Sequence, residues 1–294
     1  MLRSHYLVSF TAVLLFAPLA VLSPLARAAD AVPVGIVDAP CPPVVTMPDS
    51  VRVLLGDLFM EPRTLGPADI QGLIRNPDFA AFNTANRGLG AQDWPNLCRF
   101  RSDNTAVLAT GERPDLVFIG DSITENWLLG DPALFDSSHV NRGIGGQTTP
   151  QMLLRFRADV IALQPHAVHI MAGTNDVAGN TGPSTLQDVK DNLMSMVELA
   201  RAHDIDVLLA SIPPAALFDW RPGLDPRPVI AQLNQWLRDY AKANGLVYVD
   251  YFQVLADGNG ALRGDYGNDG VHPNRVGYAE MRRVLESSLA EKQP

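Results

Sequence analysis

The chain has 294 residues, 47% hydrophobic and 19% charged, with a formal net charge of -9. That balance fits a globular protein with room for one large α/β domain, and it excludes a disordered chain or a short-period repeat. No cluster of basic residues offsets the acidic charge, which argues against a nucleic-acid or anionic-membrane surface.

Residues 1–28 read as a signal peptide: Arg3 precedes the apolar run Leu7 to Leu22, and Ala26-Arg27-Ala28 offers small residues for cleavage before Ala29. The apolar run is interrupted by Pro18 and is shorter than a membrane span requires, so no membrane span is expected in the mature chain. The product is expected to be exported, to the periplasm or the medium. In that oxidising setting Cys41 and Cys98, the two cysteines of the chain, are expected to pair. Closing so long a loop stabilises a fold by about 4 kcal/mol in the chain-entropy account.

Residues 29–112 read as an amino-terminal extension packed on the main domain. Its first part is rich in proline (Pro33, Pro40, Pro42, Pro43, Pro48) and is expected to run extended. Further on, Asp93 is placed to cap a short helix carrying Trp94 and Leu97, with the indole packed onto the domain.

Residues 113–294 read as one domain in which strands and helices alternate. The apolar run from Asp115 to Ile119, bounded by Pro114 and Gly120, has the character of a fully buried parallel strand. A helix through Trp127 follows, then a strand near His139 to Arg142, a glycine loop, and a helix opened by Thr149 and Pro150. Ala167 to Ala172 is a third buried strand. Thr185 to Ala202 carries Leu186, Val189, Leu193, Met196 and Ala200 on one helical face. Asp206 to Ser211 and Leu246 to Val249 are two more strands, separated by a helix containing Ile230, Leu233 and Leu237, and Asn274 to Leu289 is the last helix. Such alternation predicts an α/β fold, a doubly wound parallel sheet of five strands with helices on both faces.

Polar signatures end the strands: Gly120-Asp121-Ser122 after the first, Gly143-Ile144-Gly145-Gly146-Gln147-Thr148 after the second, Gly173-Thr174-Asn175-Asp176 after the third. Asp269-Gly270-Val271-His272-Pro273 lies in the loop after the fifth. In an open α/β sheet these ends share the edge where ligands bind. Cleaving an acyl ester needs a nucleophile, a base, a group orienting the base, and donors for the oxyanion. Ser122 is the candidate nucleophile and His272 the base; Asp269, three residues earlier, is placed to fix the imidazole tautomer. The N–H groups of Ser122 and Gly146 and the side-chain amide of Asn175 are the candidate oxyanion donors. Asp121 and Asp176 are expected to brace loops, and His169, in an apolar strand, to be a core histidine. His139, His166 and His203 have no partner motif, and no His or Cys spacing suggests a metal; no cofactor is implied.

These blocks resemble the GDSL, or SGNH, hydrolase family over Asp115 to about Leu289. The resemblance implies a flavodoxin-like sheet, a Ser-His-Asp triad, no metal, and acyl-ester hydrolysis. The wording of the second and third blocks is similar to the branch containing platelet-activating-factor acetylhydrolase subunits and bacterial carbohydrate acetylesterases. That branch commonly uses the glycine just before the polar residue, which favours Gly146 over Gly145. Ile123 stands where the family's first motif has leucine, a conservative departure.

Export, acidity and this resemblance favour a short acyl group, above all acetyl, carried on a carbohydrate; the expected partner is a small acyl ester or an acetylated oligosaccharide. A lysophospholipid or other fatty-acyl ester is the enzymatic alternative, and a non-catalytic carbohydrate-binding protein on the same fold is the alternative of another class. The loop Ile212 to Asp225 offers Phe218, Trp220 and Arg221 for stacking on a sugar or, equally, for packing. Ile123, Trp127, Phe218 and Trp220 are the sizeable apolar side chains expected near the site, with Trp127 a further candidate substrate contact.

Overall fold

The structure is a computed structural model that describes residues 35–290. The expected signal peptide, residues 1–28, lies outside the described residues. By compactness the chain divides after Pro42. Residues 35–42 of the first unit contain neither helix nor strand. Both Cys41 and Cys98 are disulfide-bonded.

From Pro43 on, one compact unit holds both the sheet and a group of helices that precede it. Helix α1 (Asp49–Leu55) runs on through a wider helical turn, Gly56–Met60; α2 (Pro67–Arg75), α3 (Pro77–Gln92) and α4 (Arg101–Ala109) follow. Asn76 starts α3 by accepting the Phe79 N–H at 3.0 Å. The helix expected at Asp93 is absent. Asp93 closes α3 instead and spends its carboxylate on the Cys98 N–H at 2.7 Å, so residues 94–100 form turns and α4 begins at Arg101. Trp94, expected to be packed, is 45% exposed.

The sheet strands are β1 (Leu116–Gly120), β2 (His139–Gly143), β3 (Ala167–Met171), β4 (Asp206–Ala210) and β5 (Val247–Val249). They are parallel throughout, in the order β2-β1-β3-β4-β5, the flavodoxin-like order. Because strand side chains alternate between faces, β1 feeds two cores. Val117 and Ile119 pack on one face with Met152, Leu193 and Ile230. Leu116 and Phe118 pack on the other with Trp127, Tyr251 and Tyr278. The first face is covered by α6 (Thr149–Asp159), α8 (Leu186–Arg201) and α9 (Arg227–Asn244), the second by α5 (Ser122–Gly130), α10 (Tyr251–Leu255) and α11 (Arg275–Ala290). A short helix, α7 (Thr174–Val177), follows β3. Thr185 and Asp188 cap α8 reciprocally: the Thr185 hydroxyl accepts the Asp188 N–H at 3.1 Å, and the Asp188 carboxylate accepts the Thr185 N–H at 2.7 Å.

His169 lies on β3, fully buried, with Nε2 2.9 Å from the Tyr251 hydroxyl, and burial pushes its pKa down to about 3. It is a neutral core histidine, and the site is built elsewhere.

Candidate active site

The strand-to-helix junction at Ser122 is fixed by its neighbour. Asp121 caps α5, its Oδ1 accepting the Ile123 N–H at 2.9 Å, which places Ser122 in the first helical turn at the carboxyl edge of the sheet. Burial pushes the Asp121 carboxyl up to about 6. After β2 the chain turns sharply through Ile144-Gly145-Gly146-Gln147, closed by Gln147 N–H donating to Ile144 O at 3.3 Å. Gly146 takes φ +77, the left-handed conformation that this turn position reserves for glycine. Gly143, just before the turn, lies against α5: a Cβ there would come within 2.2 Å of the Glu125 backbone. The glycines thus serve close approach at 143 and backbone conformation at 146.

Asn175, on α7, is buried beside these elements. Its Nδ2 donates to Gln147 O at 3.1 Å and to Asp121 Oδ2 at 3.3 Å, while its Oδ1 accepts from Asn180 Nδ2 at 2.6 Å. The next residue, Asp176, accepts the Thr149 N–H and hydroxyl, the latter at 2.6 Å, which ties the β3 loop to the start of α6. Its carboxyl is pushed up to about 6 by burial.

The fourth strand-end block comes in from the loop before α11. Asn274, fully buried, starts that helix by accepting the Val276 and Gly277 N–H groups at 3.0 and 3.1 Å. The loop is thereby held so that His272 Nε2 stands 2.8 Å from Ser122 Oγ and Nδ1 stands 2.6 Å from Asp269 Oδ2. Asp269 Oδ1 accepts the N–H groups of Val271 and His272 at 2.9 and 2.8 Å. Burial works against charge at both partners, but mutual attraction and these hydrogen bonds prevail. Asp269 is held down at about 2, and His272 is raised above its ordinary value. A hydroxyl beside an imidazole, itself oriented by a carboxylate, is an arrangement for activating oxygen as a nucleophile.

Ser122, Asp269, His272, Gly146 and Asn175 are therefore gathered at one sheet edge. The remaining candidates differ. Trp127 is fully buried, stacked on Tyr278 with ring centres 5.6 Å apart, and presents no surface to a ligand. Phe218 is 1% exposed in the core on the other face of the sheet. Arg221 holds its own neighbourhood, donating to Ala178 O at 2.9 Å and Gly179 O at 3.2 Å. Trp220 is 40% exposed, and its indole N–H donates to Asn180 Oδ1 at 3.0 Å, so it meets the site through Asn180. The expectation about apolar surface is also corrected. Ile123, Trp127 and Phe218 are all packed away. The His272 ring instead lines a cavity of about 170 Å³ with Leu55, Phe59, Met60, Leu73, Phe79, Asn126 and Leu129, so most of its apolar wall comes from residues ahead of β1.

Sequence reasoning missed Gln147, Arg155 and Asn180. Gln147 Oε1 accepts from the fully buried Arg155 Nε at 2.6 Å, and Arg155 Nη2 donates to Gly120 O at 3.0 Å, joining the ends of β1 and β2. Gln147 lay inside a quoted block, but no local spacing marks Arg155 as its partner.

Residues 118–280 match the model of the GDSL-like lipase/acylhydrolase family. Among solved structures, the chain is similar to a protein described as an acylhydrolase from Bacteroides fragilis NCTC 9343, with 42% identity, 67% of this chain and 97% of that one covered, and a TM-score of 0.64. It is similar to a GDSL-like lipase from Bacteroides thetaiotaomicron VPI-5482 to the same degree: 41% identity, 67% and 98% covered, TM-score 0.63. An uncharacterized lipoprotein of Bacillus subtilis (strain 168) is 41% identical over 78 residues, which are 25% of this chain and 32% of that protein. The chain thus matches about a third of that curated relative's length.

Proposed function

The chain belongs to the GDSL-like lipase/acylhydrolase family and is a hydrolase acting on esters, and from that premise we propose that it is an exported serine esterase of short acyl groups, with acetyl esters on carbohydrate as the favoured class. The observation that carries the reading is the hydrogen-bonded chain Ser122–His272–Asp269, at 2.8 and 2.6 Å.

In the proposed reaction Ser122 Oγ attacks the acyl carbon as His272 Nε2 takes its proton. The carbonyl oxygen becomes an oxyanion facing the N–H groups of Ser122 and Gly146, and the Asn175 amide joins them by exchanging its longer bond, 3.3 Å to Asp121 Oδ2, for the new acceptor. The Gly146 N–H has no partner among the described residues, whereas the Gly145 N–H is taken by Glu125 Oε2 at 2.7 Å. The imidazolium, supported by the Asp269 carboxylate, gives its proton to the departing alcohol as the C–O bond breaks. Water then attacks the acyl-enzyme with His272 again as base, releasing the acid and restoring the Ser122 hydroxyl.

Two features support a short acyl group and a polar alcohol. The cavity of about 170 Å³ that His272 lines is of a size to take a small apolar group such as the methyl of an acetyl ester. The nearby exposed aromatic, Trp220, sits on a loop open to solvent, where a sugar ring would meet it. Export is supported by the leader-like residues 1–28, and among the described residues no helix is long and apolar enough to cross a membrane.

The test is turnover of 4-nitrophenyl esters from acetyl to octanoyl by the wild type and by Ser122→Ala and His272→Ala. Each variant should lose a factor on the order of 10⁴ or more in kcat, with little further loss in the double variant. Near-normal turnover by Ser122→Ala would end the reading, and a rate climbing from acetyl to octanoyl would end its acyl-length part.

A further inference from the structure

We propose that Glu125 is a positioning residue for the oxyanion-binding turn, and that Arg99, which lies ahead of the family-matched region, holds it there. The proposal rests on the reading above, in which the Gly146 N–H binds the oxyanion. Ser122 and Glu125 are three residues apart on α5 and so share a face of that helix. Glu125 Oε2 accepts the Gly145 N–H at 2.7 Å, and Oε1 accepts from Arg99 Nη2 at 3.3 Å. The carboxylate lies tight against the turn: a Cβ at position 145 would sit 3.0 Å from Oε2. With the Gly145 N–H tied down, the following N–H, that of Gly146, is the one left to face a substrate. One helix therefore carries both the nucleophile and the acceptor that sets the oxyanion donor in register with it.

Arg99 is itself well held. The Cys98 N–H donates to Asp93 Oδ2 at 2.7 Å, and the carbonyls of Trp94 and Pro95 accept from Gln151 Nε2 and Gln147 Nε2 at 2.8 and 2.9 Å. The segment 94–99 thus braces the loop after β2 at Gln147 and, through Glu125, at Gly145, and the first turn of α6 at Gln151. This gives the turns ahead of α4 a part in the chemistry, although they carry no reacting group.

The experiment measures kcat and KM with 4-nitrophenyl acetate, and the inhibition constant of a trifluoromethyl ketone that forms a tetrahedral adduct on Ser122, for Glu125→Ala, Glu125→Gln, Arg99→Ala and Asn175→Ala. Glu125→Ala should lower kcat by about 10–100-fold, short of the full loss of an oxyanion donor. KM should change little, and the ketone should weaken in step with kcat/KM, because only the tetrahedral species presents an oxyanion. Glu125→Gln keeps an acceptor oxygen and should recover most of the loss; Arg99→Ala should fall between the two. A mere packing defect would lower the melting temperature without coupling kcat to the ketone. Normal kcat in Glu125→Ala, a change in KM alone, or Glu125→Gln no better than Glu125→Ala would overturn the proposal. If Glu125→Ala does not fold, Arg99→Ala decides by the same coupling. Normal turnover in Asn175→Ala would remove the oxyanion reading itself, whereas an impaired Asn175→Ala beside a normal Glu125→Ala removes the brace alone.

Discussion

Asp269→Asn takes one negative charge from the imidazole of His272 and almost no volume. In the native protein burial disfavours an imidazolium at 272, and the carboxylate 2.6 Å from Nδ1 more than offsets this, so His272 holds its proton to higher pH than an ordinary histidine. The converse displacement of Asp269, from 3.8 to about 2 against the pull of burial, corresponds to about 2 kcal/mol of preference for the charged form. In the variant burial at His272 is opposed only by the smaller attraction of Asp121, and its pKa falls. The acid limb of the kcat/KM profile, which marks protonation of the base, must then move to lower pH. The plateau must fall as well, because an amide can donate to Nδ1 and stabilise the wrong tautomer, a change that costs about 10⁴ in kcat in a well-studied triad of another protein. Initial rates with 4-nitrophenyl acetate between about pH 4 and about pH 9 would span the limb. The stability side has its own sign. A carboxyl depressed by folding stabilises the protein above its unfolded value near 4 and loses that contribution as pH falls toward 2. The difference in melting temperature between wild type and variant should therefore shrink over that window. An acid limb that stays in place or moves upward would refute the coupling of Asp269 to His272.

Trp127→Ala should cost about 3–5 kcal/mol of stability, seen as a lower denaturant midpoint, because the ring is fully buried against Tyr278 and Phe118; a change in KM without a stability loss would contradict its burial. Trp220→Ala should leave stability nearly unchanged and raise KM for an acetylated oligosaccharide more than for 4-nitrophenyl acetate, and equal effects on both would count against a sugar contact. Gly146→Ala meets no atom within 4 Å but must hold φ +77, a strain of about 1–2 kcal/mol, so it should lower the melting temperature and kcat together; full activity would show that the turn tolerates a side chain. Alkylation followed by mass measurement should find two thiols only after reduction, since Cys41 and Cys98 are disulfide-bonded.

The sheet and the residues gathered at its edge were legible in the sequence because their causes are local. The central strand β1 is apolar along its length, so the polar residues that follow it mark the edge of the sheet, and Ser122, Gly146, Asn175 and His272 lie at such strand ends or in the loop before α11. Asp269 and His272 needed only three residues of separation to meet. What the sequence left open depends on partners distant in the chain. Trp127 and Trp220 look alike as residues, yet one is sealed by Tyr278 across the sheet's second face while the other stays half in solvent. Ahead of β1, α3 and α4 have only weak amphipathic periodicity to announce them, and it is the placement of this group of helices that puts Phe59 and Leu73 in the cavity at His272. Gln147 was visible as a letter in a block, but its bonds to Arg155, Pro95 and Asn175 exist only after strands and turns far apart in sequence are brought together. Periodicity and spacing record what a residue does to its near neighbours along the chain, whereas burial and long-range hydrogen bonds are set by whatever the fold packs against it.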